Sequence, residues 1–244
     1  RNTDARPQDY AVLRDVERPG HADRTTVLKY GLRDHRGSGR ASGRETLGRV
    51  IGGYFAGLVL PPETQVECWI DQLGPFHSAD GAVGRYGLRG VDDAQVETYL
   101  LDLKAAGDSV GAQLVGRVAA PPAGLGEPVF SKLKADLAGA VMGIGAVPAF
   151  GVGEGAAFGE TTGQKITQDR AAFGGIEGGI SNGETIRFEC TVRPPSTVGD
   201  KAQAGRHDPC IAPRVLPVVE AMVRLVLADH LLRQSALAAF QVRP

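Results

Sequence analysis

A mixed α+β fold is what this 244-residue sequence predicts, because two periodicities run through it side by side. Segments alternating apolar and polar residues, the mark of a half-buried strand, occur at Val66-Glu67-Cys68-Trp69-Ile70, from Gln113 to Ala119 and, most cleanly, from Thr185 to Val192. Around them lie stretches with apolar residues every three or four positions, the mark of an amphipathic helix. The totals fit a globular protein. With 42% hydrophobic and 23% charged residues the chain can bury a proper core, and a formal net charge of -1 argues against general nucleic-acid binding, which needs a basic surface. No apolar run reaches the length of a membrane span, and residues 1–9 hold no apolar core of a signal peptide, so a soluble cytoplasmic protein with no membrane partner is expected. Cys68, Cys190 and Cys210 lack the paired spacing of a zinc site and read as reduced thiols without a metal.

In chain order, residues 1–20 are polar, carry no helical period and read as loop with room for one short strand. Basic charge then collects: Arg14, Arg18, Arg24, Lys29, Arg33, Arg36, Arg40, Arg44 and Arg49 face only Asp15, Glu17, Asp23, Asp34 and Glu45, a local surplus of four. A solvated basic face is the ordinary meaning of such a run. The glycines in Arg36-Gly37-Ser38-Gly39-Arg40 favour an oxyanion site instead, since glycine lets backbone N–H groups close on an anion that arginines grip. Ser42-Gly43-Arg44-Glu45 has the spacing of a capping box, so a helix should start there, with Leu47, Val50, Ile51, Tyr54, Phe55 and Leu58 as its inward stripe and an end before Pro61-Pro62. Its first N–H groups would point toward the arginine-rich loop.

Trp69 reads as packing. Asp92 to Lys104 predicts a helix capped by Asp92, buried through Val96, Tyr99, Leu100 and Leu103, and stopped by Gly107. Gly126-Glu127-Pro128 opens another, with Phe130, Leu133, Leu137, Val141 and Ile144 on its apolar face. Glycine crowds residues 143–159 and 174–183, but the interspersed Ile, Val, Phe and Glu predict ordered turns and strands where something flat approaches the backbone, not a linker. No dinucleotide fingerprint is present. Arg193-Pro194-Pro195-Ser196-Thr197 sets a cation and two hydroxyls at a turn, suited to a phosphate and equally to a plain loop. Finally Gly205-Arg206-His207-Asp208-Pro209-Cys210 places three ionisable groups at the mouth of a buried helix entered through Pro213 and Pro217 and carrying Val218, Val219, Met222, Leu225, Val226, Leu231 and Leu232. Locally, Asp208 could simply complement the helix dipole. His35 and His77 read as surface, and His230 as lying on the polar side of that helix.

The string from Gly205 to Met222 closely resembles the C-terminal motif of chorismate synthase. Arg18-Pro19-Gly20-His21-Ala22-Asp23, Arg36 to Thr46 and Gly174 to Gly183 resemble the same family in the same order, and Gly107 to Gly111 and Gly124 to Phe130 also fit. The resemblance implies a single domain over residues 1–244, a β-α-β sandwich assembled as a homotetramer, and the conversion of 5-enolpyruvylshikimate 3-phosphate to chorismate by 1,4-trans elimination of phosphate with reduced FMN (FMNH2). By position, Arg18, Arg44 and Arg206 match substrate-binding arginines. His21 matches a histidine credited with protonating the reduced flavin, and Asp208 an aspartate held near the flavin. Arg40, Ala41, Ser42, Gly145, Ala146, Gly178, Arg193, Pro194, Pro195, Ser196, Thr197 and Arg206 match FMN segments. The family's N-terminal Ser-His-Gly segment is not in this sequence, Arg193 stands where lysine is common, and the chain is short after about Leu60, Glu160 and Gly199. A non-catalytic flavin or phospho-metabolite binding protein is the rival reading; a basic-faced nucleic-acid module is a weaker one.

Overall fold

The computed structural model describes Arg14 and residues 17–35, 39–199 and 208–240. Among the described residues, seven strands and six α-helices occur in the order α1 (Asp23–Tyr30), α2 (Thr46–Gly57), β1 (Gln65–Leu73), β2 (Phe76–His77), α3 (Asp93–Ala105), β3 (Ala112–Ala119), α4 (Leu133–Met142), β4 (Ala149–Val152), α5 (Gly163–Ile166), β5 (Ile176–Glu177), β6 (Ile180–Ser181), β7 (Ile186–Val192) and α6 (Ala212–Phe240). All three alternating segments became strands. They form the middle of one five-stranded sheet, β2-β1-β3-β7-β4, antiparallel throughout, while β5 and β6 make a separate hairpin. This is an α+β arrangement, as expected.

Alternation decides which face of the sheet is buried. Val66, Cys68, Ile70 and Leu73 of β1, Leu114 and Val118 of β3, and Ile186, Phe188, Cys190 and Val192 of β7 point into the core, while Glu67, Arg117 and Arg187 point out. On that outer face Trp69 lies under the Arg89 guanidinium, 3.8 Å from its ring centroid, which is packing plus a cation–π contact. The core face is covered by α6, which lies on β1 and β3 and packs against α2 and α4. Because β2 pairs only with Gln72 and Leu73 of β1, part of the β1 edge has no neighbouring strand. Side chains of α6 take its place: Glu220 Oε1 accepts from the Cys68 N–H at 3.1 Å, and Arg224 Nη2 donates to the Val66 carbonyl at 3.1 Å.

Three expectations are corrected and one element is added. Residues 23–30, with no apolar stripe to announce them, form helix α1, which the sequence reading did not assign. The stripe expected to bury α2 faces outward: Leu47, Ile51, Tyr54, Phe55 and Leu58 are exposed, and the buried positions are Gly53 and Ala56. The cause is closeness. A Cβ on Gly53 would stand 2.4 Å from the Ala221 Cα, so the small-residue side lets two backbones approach where the large side chains could not. Helix α4 begins at Leu133 instead of Pro128, because Gly126 and Ser131 take positive φ and Phe130 is left 85% exposed, although Leu133, Leu137, Val141 and Ile144 are buried as read. His230 is buried, not polar-facing, with Nε2 3.0 Å from Asp136 Oδ2 on α4. The helix at Asp92 and the order within the glycine-rich region match the reading: Asp92 accepts from the Ala94 N–H at 2.9 Å, and the glycines turn the chain between β4, β5, β6 and β7.

Candidate active site

The stretch from Arg18 to Asp23 is built on one turn. Pro19 and Gly20 occupy its centre, Gly20 takes φ 71°, and the His21 N–H donates to the Arg18 carbonyl at 3.1 Å. Proline presets the first central position and only glycine takes the second without strain. The turn sets the Arg18 and His21 side chains together and lets Asp23, the first residue of α1, reach back. Asp23 Oδ2 accepts from the Arg18 backbone N–H (3.1 Å) and Nε (2.9 Å), while Oδ1 accepts from Arg18 Nη2 (3.1 Å). His21 Nδ1 lies 2.9 Å from the same Oδ1, and Arg33 Nη1 lies 3.2 Å from it. Burial alone would push the Asp23 carboxyl up, but hydrogen bonds from the Arg18 side chain and backbone and the charges of His21 and Arg18 outweigh it and hold the group well below the carboxylate range. For His21 burial prevails: burial and the Arg18 charge lower its pKa, Asp23 partly restores it, and Arg193 lowers it further.

Arg193 belongs to a second segment that the sheet delivers to the same place. Ala112 of β3 pairs with Val192 of β7, and Ala149 of β4 with Thr191, so the loops before β3 and β4 and after β7 gather at one sheet end. There the Arg193 N–H donates to the Ala146 carbonyl at 2.9 Å, and the Arg193 guanidinium donates to Ser196 Oγ and to the Pro194 carbonyl. Ser109 Oγ donates to the Pro195 carbonyl at 2.8 Å, Thr197 is buried, and a Cβ on Gly20 would lie 3.5 Å from Ser196 Oγ. The Val110 N–H donates to the Pro209 carbonyl at 2.8 Å, which fixes Asp208 beside this end. Its carboxylate is gripped by two Arg214 nitrogens at 2.8 and 3.0 Å.

The arginine-rich loop approaches through α2. Ser42 caps the 3-10 turn Gly43–Glu45 by accepting from the Arg44 N–H at 3.3 Å, so the expected helix start is present, although Glu45 pairs with Arg49 at 2.8 Å and does not reach back to close the box. Arg40, Ala41 and Arg44 are exposed. Arg49 Nη1 lies 3.8 Å from where a Cβ on Gly143 would stand, which puts the first turn of α2 beside the chain entering Gly145 and Ala146. Gly178 is elsewhere. It turns the β5–β6 hairpin, accepts from Lys132 Nζ at 3.1 Å, and stands where Gly179 accepts from the Leu133 N–H at the start of α4. That is the Ile186 end of β7, a strand of seven residues or about 23 Å from the Arg193 end. Arg206 and His207 lie outside the described residues.

The structure therefore brings together Arg18, His21, Ala146, Arg193 to Thr197 and Asp208, sets Gly145 alongside, relates residues 40–44 to them only through the first turn of α2, and leaves Gly178 apart. Sequence reading missed Asp23, Arg33 and Arg214 as members of this unit. The available signal was a carboxylate two residues past a histidine that follows a Pro-Gly turn. The groups present suit a phosphate-bearing flavin: a Cβ on Gly145 would meet nothing within 4 Å, and Arg193 and Ser196 supply a cation and a hydroxyl at the same end of the sheet.

An antiparallel sheet backed by helices, whose strand ends gather arginines, a poorly basic histidine and a paired carboxylate, defines an α+β protein with a cation-rich site whose chemistry suits a small polyanion. Residues 1–232 match the chorismate synthase family model. The chain is 42% identical to a chorismate synthase of Bdellovibrio bacteriovorus, over 95% of this chain and 72% of that one. It is 38% identical to one of Methylacidiphilum infernorum, over 97% of this chain and 75% of that one. The latter alignment runs over 274 positions, more than the 244 residues here, so the relative carries residues between the matched ones. A solved chorismate synthase superposes with a TM-score of 0.71 over 87% of this chain and 70% of that one, at 24% identity, which is a likeness of fold. This chain belongs to the chorismate synthase family, carbon–oxygen lyases of the shikimate pathway that use reduced FMN.

Proposed function

We propose that the sheet end carrying His21, Arg193 and Asp208 is where this chain performs the family's reaction, the reduced-FMN-dependent 1,4-trans elimination of phosphate from 5-enolpyruvylshikimate 3-phosphate to give chorismate. The observation that carries the assignment is the placement of His21, half-buried between Arg18 and Arg193 with its pKa lowered, at the sheet end where the Val110 N–H also fixes the chain next to Asp208. Arg18, Arg44 and Arg206 supply positive charge for the phosphate and carboxylates of the substrate, and Arg33 adds to it. Arg40, Ala41, Ser42, Gly145, Ala146 and Arg193 to Thr197 hold the cofactor, with Gly178 contributing from the hairpin of a second copy. When bound, reduced FMN supplies the electron-rich partner that assists loss of phosphate and of the substrate's C6 proton with no net redox change. His21 exchanges a proton through Nε2, the ring atom not engaged by Asp23. Asp208, oriented by Arg214, offers a carboxylate oxygen for proton transfer.

The test is anaerobic turnover of the substrate with reduced FMN, followed by chorismate absorbance and phosphate release. Product that appears only with reduced flavin, and is lost in His21→Ala and Asp208→Ala while FMN stays bound, is the expected result. Binding of both ligands without product would overturn the lyase reading in favour of a non-catalytic binding protein. We further place the chain as one domain of a cytoplasmic homotetramer. The exposed apolar side chains of α2 are surface for assembly to cover, and the three buried free cysteines agree with a reducing compartment. Light scattering of the purified chain checks the oligomer.

A further inference from the structure

We infer that Asp23 is the positioning residue of this site: its carboxylate holds the His21 ring as the Nδ1–H tautomer, so that Nε2 is the nitrogen turned to the ligand, and clamps the Arg18 guanidinium beside it. The inference rests on the reading of His21 as a site residue. Its basis is a conflict in the geometry with one resolution. His21 Nδ1 lies 2.9 Å from Asp23 Oδ1 and 3.1 Å from Arg18 Nη2. A guanidinium nitrogen can only donate and an ionised carboxylate can only accept, so one ring nitrogen cannot satisfy both. If Nδ1 carried no hydrogen, two acceptors would stand 2.9 Å apart in a site where Asp23 is only 3% exposed. Arg18 Nη2 has another acceptor, Asp23 Oδ1 at 3.1 Å. The arrangement without an acceptor–acceptor clash therefore puts the hydrogen on Nδ1, next to the Asp23 carboxylate, with Arg18 donating to the same carboxylate.

A purely structural account would have Asp23 serve the positive end of the α1 dipole. It does not explain why the carboxylate turns back from the helix to take three hydrogen bonds from Arg18 and a contact from His21. The charges around the ring make Asp23 decisive. Arg18 on its own turn, Arg193 on the loop after β7 and Arg33 past α1 are all cationic, and Asp23 is the carboxylate set among them. Remove its charge and the ring loses both the group that selects its tautomer and the group that supports its protonated form.

The test reads the ring itself. Nitrogen-15 NMR of the ligand-free full chain, with the His21 signals assigned by their disappearance in His21→Gln, reports which nitrogen carries the hydrogen. Wild type is expected to show the Nδ1–H form. Asp23→Asn should give mixed or Nε2–H forms and a His21 titration moved to lower pH, and Asp23→Glu should restore the wild-type pattern in part. In turnover with reduced FMN, Asp23→Asn should lower kcat on the order of 100-fold or more, as loss of a proton-transfer partner does, and shift the acid limb of the pH–rate profile downward. A wild-type ring in the Nε2–H form would overturn the inference, and that measurement decides even if Asp23→Asn fails to fold. So would an Asp23→Asn protein that keeps both the tautomer and the pH profile. Full turnover by His21→Gln would instead remove His21 from the catalytic reading and leave the tautomer result standing.

Discussion

At the scale of single residues the site is a set of opposed electrostatic pressures, and these make a pH prediction whose sign can be worked out. The folded pKa of His21 lies below its unfolded value of about 6.5. As pH falls through 6.5 the unfolded chain takes up a proton that the folded ring refuses, so folded wild type loses stability there relative to a variant without the imidazole. Urea unfolding of wild type and His21→Gln across pH 5 to 8 should give curves that run parallel above about pH 7 and diverge below it, with wild type losing ground. A gap that is constant with pH, or that widens toward alkali, would contradict the depressed pKa. Asp23 acts on the other limb: its folded pKa is depressed, so its contribution is present above about pH 4 and is lost as the medium becomes more acidic. Residue chemistry was only half legible in the sequence. His21, Arg18 and Asp208 stood out because their types and motif positions carry chemistry. Asp23 and Arg214 did not, since a carboxylate or a cation near a helix start is commonplace until a folded turn shows what it grips.

At the scale of elements, period fixed type better than facing. The alternation from Thr185 to Val192 became β7 with its apolar residues inward because a strand has only two faces and one was buried. Helix α2 has a continuous circumference, and its apolar stripe did not decide which arc meets α6. Gly53 and Ala56 did, by allowing an approach that Tyr54 or Phe55 would block. Helix α1 left no trace in the sequence because its stability comes from its N-terminal network and not from a stripe. The packing predicts the effect of one methyl. In a free helix Gly53→Ala should gain about 1 kcal/mol from propensity. Here the new Cβ would sit 2.4 Å from both the Cα and the Cβ of Ala221, and overpacking of this kind costs about 1–3 kcal/mol. Thermal unfolding of Gly53→Ala should therefore show a lower midpoint, whereas Gly48→Ala on the same helix, where an added Cβ meets nothing within 4 Å, should be neutral or stabilising. Equal gains in both would mean that α2 does not seat on α6 through Gly53.

At the scale of the whole molecule, the sheet works as a spacer with two furnished ends. His21, Arg193 and Asp208 gather at one, and the β5–β6 hairpin with Gly178 sits at the other, about 23 Å away along β7. No sequence reading could have shown this, because motif matching gives the order of segments along the chain and not which ends of a sheet they reach. If Gly178 touches the same flavin as Arg193, a second copy has to bring it there, and the proposed homotetramer, with apolar surface to cover along α2, offers the means. The consequence is measurable by mixing. Asp208→Ala chains keep the hairpin and lose the catalytic carboxylate; Gly178→Trp chains keep the carboxylate and fill the exposed turn. Each alone should be inactive. Unfolded together and refolded as mixed oligomers, they should regain turnover at about one site in four on random pairing, since only a site drawing its good carboxylate from one parent and its good hairpin from the other works. Mixed oligomers with no activity would confine each site to a single chain, whereas normal turnover by Gly178→Trp on its own would remove Gly178 from the site.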